Sequence, residues 1–177
     1  MLEIVVEGME LFDEEKCEFF QIKTQHLKLE HSLVSISKWE SKWHKSFLSD
    51  GEKTPEEILD YIRCMTINQV DPNIYAALSQ KNINDIEAYI EDPMTASTIA
   101  SESGGKKERI TSELIYYWMV AYRIPMECEK WHLNRLLTLI KICNAKNQPA
   151  KKMSNREIYN QNRLLNEARR KKYHTKG

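Results

Sequence analysis

The sequence predicts an α+β chain that is mainly α: a small N-terminal antiparallel sheet, a helical domain, and a basic C-terminal helix. Three observations predict it. Residues 2–30 hold short stretches in which apolar and polar side chains alternate, the two-residue period of half-buried strands. From Ser32 onward the apolar residues recur at helical spacing. The last twenty-seven residues carry nine Lys/Arg against two Asp/Glu.

The charge is divided along the chain. The 177 residues are formally neutral, with 26 basic and 26 acidic side chains. Subtracting the tail's nine and two leaves 17 basic and 24 acidic residues, so residues 1–150 carry −7 and residues 151–177 carry +7. This predicts an acidic globular domain over 1–150, with a β segment at 1–31 and a helical core at 32–150, followed by a basic helical tail at 151–177. An appendage of one charge on a body of the other fits binding better than catalysis.

The elements follow in order. Leu2, Ile4 and Val6 alternate with Glu3, Val5 and Glu7, and Gly8 punctuates. An acidic loop is expected around 13–16, then strands over 17–22 and 25–30, the whole forming one small antiparallel sheet. Ser32 is placed to cap a helix whose Leu33, Ile36, Trp39, Glu40 and Trp43 share a spacing. Thr54, Pro55 and Glu57 make a capping box with Pro in the first turn, and Ile58, Leu59, Ile62 and Met65 supply that helix with an apolar face. Asp71 and Pro72 open a short helix through Leu78, and Asn82 caps another over Ile83, Ile86, Tyr89 and Ile90.

Residues 92–109 are small, polar and Gly-containing, which predicts a long flexible loop. Thr111 then caps a hydrophobic helix over 112–122. Pro125 resets the chain, and one long helix is expected over 126–144, with Leu133, Leu136, Leu137 and Ile140 as a stripe that Cys128, Trp131, Leu139 and Cys143 widen. Ser154 and Glu157 form a further capping box, starting a final helix through about Tyr173 with a thin apolar stripe of Ile158, Leu165 and Ala168. Such a helix cannot bury much by itself, so it docks lightly or is ordered by a partner.

Several function classes find no support. No run approaches the roughly twenty apolar residues of a membrane-spanning helix, and the acidic N-terminus does not read as a signal peptide, so a cytosolic protein is expected. Cys17, Cys64, Cys128 and Cys143 are scattered and contain no CxxC pair, which predicts buried thiols. Cys128 and His132, four apart on one helical face, would give two of the three or four ligands zinc needs; a packed cysteine beside a hydrogen-bonded histidine is the expected state, and no metal or other cofactor is expected. The five histidines sit in no nucleophile or metalloprotease motif, and Gly104, Gly105, Lys106 and Lys107 lack P-loop spacing, so a non-enzymatic role is expected. Trp39 and Trp43 read as core anchors, and Tyr116, Tyr117, Trp118, Tyr122 and Trp131 as buried among apolar neighbours, rather than as base-stacking platforms.

The tail supplies the candidate contact residues: Lys151, Lys152, Arg156, Arg163, Arg169, Arg170, Lys171 and Lys172. They suit phosphates, the chain's own acidic body, or an acidic or helical protein partner met under electrostatic steering. No base-reading motif accompanies them, which ranks protein above nucleic acid.

The segments LEHSLVSISKWESKWHKSFL (29–48), ITSELIYYWM (110–119), KWHLNRLLTLIKIC (130–143), KKMS (151–154) and the ending RRKKYHTKG resemble a family of small bacteriophage proteins from tail-gene clusters, the tail assembly chaperone-like proteins. The resemblance implies a largely helical, non-enzymatic helper in the host cytoplasm. It would bind the long helical tape measure protein during tail morphogenesis and keep it soluble until the tail tube polymerises. Such chaperones are made in short and frameshifted long forms, and this chain would match the short one. Candidate partners are therefore the tape measure or other tail proteins, a further copy of this chain, and, ranked lower, nucleic acid; a membrane is not expected. The competing roles are a structural protein of the virion, such as a connector or tail-completion subunit, and a nucleic-acid-binding protein that uses the basic tail.

Overall fold

A computed structural model describes residues 1–13, 17–49, 51–97, 109–147 and 155–173. The chain divides into two compact units, Met1–Asn144 and Ala145–Gly177. The division falls in the last turn of a helix rather than at Ala150.

The first unit opens with four strands: β1 (Leu2–Val6), β2 (Met9–Asp13), β3 (Glu18–Ile22) and β4 (Gln25–Leu29). Instead of one sheet they form two antiparallel ladders, β1 with β4 and β2 with β3. Both ladders share one register, since each residue and its partner add to the same number from Leu2 with Leu29 to Asp13 with Glu18. The four strands are thus one long hairpin, interrupted at residues 7–8 and 23–24.

The face turned to the core changes parity across that interruption. Ile4, Val6, Leu27 and Leu29 point inward on one side of it, and Leu11, Phe20 and Ile22 on the other. Gly8 marks the crossing: its N–H donates to Thr24 Oγ1 at 3.0 Å. A Cβ there would lie 2.6 Å from the Ile22 carbonyl oxygen and 2.9 Å from Thr24 N, so only glycine fits.

Helix α1 (Leu33–Trp43) is capped by Ser32, whose side chain accepts from Ser35 N, and ends at His44 in the left-handed conformation. Helix α2 (Pro55–Met65) carries the full Thr54–Glu57 capping box. Its buried face differs from the expected one: Tyr61, Ile62 and Met65 are buried, whereas Ile58 is exposed. A 3₁₀ segment, Pro72–Ala77, starts from the Asp71 cap. Helix α3 (Gln80–Glu91) begins three residues earlier than predicted, because Ser79 is the cap and Asn82 returns the capping box from the third position. Helix α4 (Ser112–Ala121) starts from Thr111 as expected.

The single helix expected over 126–144 is broken. Residues Met126–Lys130 form a 3₁₀ turn and α5 (Leu133–Asn147) begins afterwards. Between them the chain is extended: Ser32 and His132 form a β-bridge, and Leu133 N–H donates to the His31 carbonyl at 2.8 Å. A backbone pairing across the core therefore replaces two residues of helix. The loop expected over 92–109 is described only at its ends, where Met94 N–H closes a turn on Asp92 Oδ1 at 2.7 Å.

The core gathers Val6, Leu27 and Leu29 from the hairpin, Leu33, Ile36 and Trp39 from α1, Met65 from α2, Ile115 and Met119 from α4, and Leu133 and Leu136 from α5. Trp39 is the anchor expected of it, with its Nε1–H donating to the Glu57 carbonyl at 2.9 Å. Trp43 is half-buried and donates to Asp60 Oδ2 at 2.8 Å. Two burial expectations are corrected. Tyr117 points outward from α4, away from the buried Ile115 and Met119. Of the cysteines only Cys128 is buried; Cys64 and Cys143 are half-buried and Cys17 is exposed.

The second unit contains α6 (Asn155–Tyr173). Its expected Ser154 cap lies outside the described residues.

Candidate functional site

Of the eight candidate contact residues, Arg156, Arg163, Arg169, Arg170, Lys171 and Lys172 all lie on α6 and all are exposed. Lys151 and Lys152 lie outside the described residues. Every α6 side chain that is described is exposed, including Leu164 and Leu165. Helical spacing sorts them: Arg156, Tyr159, Arg163, Arg170 and Tyr173 fall at three-, four- and seven-residue steps along one face. Tyr159 is 69% exposed and Tyr173 66%, so this Arg/Tyr face is exposed along its length. Arg163 Nε stands 3.8 Å from Glu167 Oε1, an i,i+4 contact of small value on a solvated surface. Lys172 Nζ lies 5.6 Å from the Tyr173 ring centroid.

Arg and Tyr are the residues that most often dominate protein interfaces, since each joins a large apolar area to directional polar atoms. The seven-residue recurrence of Arg156, Arg163 and Arg170 is legible in the sequence. Its combination with the two tyrosines emerges only once the helix is drawn.

Two polar clusters in the first unit were not anticipated. In the core, His31 and His132 meet with ring centroids 5.0 Å apart. His31 Nδ1 is 2.6 Å from the Tyr61 hydroxyl, and His132 Nε2 is 2.9 Å from the Tyr89 carbonyl oxygen. The Tyr89 hydroxyl donates to Glu30 Oε1 at 2.6 Å, and Glu30 Oε2 holds the Met1 amino group at 3.0 Å. Burial pushes the Tyr61 hydroxyl well above its usual value, so it keeps its proton. Burial first, and the neighbouring His132 second, push His31 down from 6.5 to about 3, so its ring is neutral. Cys128 and His132 do not share a helical face, because the 3₁₀ turn ends before His132. Among the described residues no group of three or more His, Cys, Asp or Glu is placed to hold a metal.

The second cluster is an open cleft of about 370 Å³ between the end of α1 and the start of α4. It is lined by Glu40, His44, Lys45, Ser46, Arg109 and Glu113, among others. Glu40 is buried, with one carboxylate oxygen accepting from Phe47 N at 2.8 Å and the other from Ser112 N at 2.7 Å. Lys45 is paired with Glu57. The wall of the cleft is thus a structural joint, with its strongest acceptor already satisfied.

Among the described residues no helix is long and apolar enough to cross a membrane. Compared with known proteins, the chain matches no family model, no curated protein and no solved structure.

Proposed function

We propose that this chain is a non-enzymatic bacteriophage assembly factor of the tail assembly chaperone kind, acting in the host cytoplasm and binding the tape measure protein through α6. The observation that carries it is the Arg/Tyr face of a nineteen-residue helix whose described side chains are all exposed. Most helical stability in proteins comes from packing rather than propensity, so a partner that buries Tyr159 and Tyr173 would add to the stability of α6. A long helical partner offers a matching surface, with acidic residues for Arg156, Arg163 and Arg170 and apolar ones for the tyrosines. The resemblance of segments 29–48, 110–119 and 130–143 to the phage family supplies the partner's identity.

The test is co-purification from infected cells, comparing the full chain with one ending at Ala150. Tape measure protein should accompany the full chain and be lost from the shortened one. Recovery of duplex DNA instead, with affinity falling steeply as salt rises, would replace this function with nucleic-acid binding through the same arginines. Stoichiometric presence in purified particles would replace it with a virion structural role.

A further inference from the structure

The β2–β3 half of the hairpin exposes a second apolar surface. Phe12 and Phe19 are cross-strand partners with ring centroids 4.9 Å apart, and they face away from the core at 49% and 70% exposure. Glu10 and Gln21, the next outward pair, are also exposed. Around them the chain is acidic: residues 7–18 contain six Asp/Glu and one Lys. Among the described residues the ladder has two strands, with no third strand on either edge.

We propose that this ribbon docks the α6 helix of a second copy of the chain. The two surfaces are complementary in both respects that matter for recognition. Helix α6 contains six Lys/Arg and two Asp/Glu, opposite in sign to the ribbon. Its Arg/Tyr face offers guanidinium groups to Glu10 and to the π faces of Phe12 and Phe19, and tyrosine rings to the same aromatic pair. Size also agrees. Five residues of strand span about 17 Å, within the length of α6 at about 1.5 Å per residue. Each copy carries one ribbon and one helix, so the contact is heterologous: reciprocal exchange closes a dimer, and serial docking builds longer chains. Tape measure binding does not require this contact; because both use the Arg/Tyr face of α6, the ribbon of a second copy and the tape measure protein would compete for it.

Sedimentation of the full chain over a range of concentrations tests the proposal. The chain should self-associate at about 50 mM salt, and about tenfold more weakly at about 500 mM, where screening shortens the reach of the charges. Phe12→Ala with Phe19→Ala should weaken association at least about tenfold, as loss of a central aromatic anchor does. Glu10→Lys alone and Arg170→Glu alone should each weaken it. An equimolar mixture of those two variants should recover it, because the ribbon of the first and the helix of the second have exchanged charges and attract again. All four side chains are exposed, so thermal unfolding of each variant should match the parent under monomeric conditions. A mass that stays monomeric at every concentration overturns the proposal, as does association indifferent to Phe12 and Phe19. Failure of the mixture to recover overturns it too, including the case where α6 docks within its own chain.

Discussion

His31 and His132 pack edge to face in the core with their ring centroids 5.0 Å apart, and burial keeps the His31 ring neutral. The hydrogen bonds fix the tautomers. The Tyr89 carbonyl can only accept, so His132 Nε2 carries a proton, and its Nδ1 is buried without a hydrogen-bond partner. Tyr61 stays protonated, and donating to His31 Nδ1 is the arrangement that strands no buried hydroxyl proton. The end of β4, α2, α3 and the start of α5 are thereby joined by two imidazoles.

The first prediction is loss of stability on mild acidification. His31 falls from 6.5 to about 3 on folding, so the unfolded chain binds a proton that the folded chain refuses. The stabilisation is complete above pH 6.5 and is lost as pH falls toward 3. Between pH 6.5 and pH 5 this amounts to about 2 kcal/mol at 1.36 kcal/mol per unit. Over that window Asp60 adds little: burial raises its carboxyl, the Lys42 and Trp43 hydrogen bonds outweigh burial, and its contribution is lost only nearer pH 4. Urea unfolding at pH 7 and pH 5 measures the difference. His31→Gln, which keeps an acceptor for Tyr61 and cannot ionise, should flatten most of it; an unchanged pH slope in that variant would sink the assignment.

Glu40 should be among the costliest polar residues to remove. Its two carboxylate oxygens hold Phe47 N and Ser112 N, joining the end of α1 to the first turn of α4 across seventy-two residues of sequence. Glu40→Ala leaves two part-buried or buried donors unsatisfied and is expected to cost about 2–4 kcal/mol. Glu40→Gln keeps one good acceptor and should cost less than half of that. Equal losses for the two variants in chemical denaturation would mean that side-chain volume, not acceptance, is what matters.

The contrast between what was and was not legible follows the range of the forces. Ser32, Thr54, Asp71 and Thr111 cap the elements they were expected to cap, because an N-cap bond closes within three residues. Strand β2 escaped because the inward parity switches at Gly8, so alternation counted from Leu2 assigns the wrong face to Leu11 and Phe12. The break before α5 escaped because the pairing of Ser32 with His132 is made across a hundred residues, and nothing local marks it. The same distance hid the histidine pair. On α6 the basic residues were legible as composition, whereas their partnership with Tyr159 and Tyr173 needed the helix phase.

Gly8 should tolerate no side chain. Gly8→Ala places a methyl 2.6 Å from the Ile22 carbonyl oxygen, a backbone atom that cannot swing aside. Overpacking of this kind costs about 1–3 kcal/mol. The effect should be local, since the crossing at Gly8 interrupts the hairpin between the β1–β4 ladder and the β2–β3 ladder. Hydrogen exchange should therefore accelerate at the β2 and β3 amides well before those of β1 and β4. Uniform acceleration throughout the hairpin would show that the two ladders open as one.

Removing α6 should leave the first unit intact. Every described α6 side chain is exposed and Met1–Asn144 is a compact unit by itself, so deleting residues 148–177 should cost that unit little. In about 0.5 M salt, where charge-driven association is screened, the shortened chain should unfold within about 0.5 kcal/mol of the full one. Far-UV circular dichroism of the full chain should show helix lost in two stages on heating. The isolated tail should melt early and without cooperativity, because a helix of this length without a packed face gains little beyond its own propagation. A single sharp transition in the full chain, or a destabilisation of several kcal/mol on deletion, would mean that α6 is packed rather than waiting for a partner.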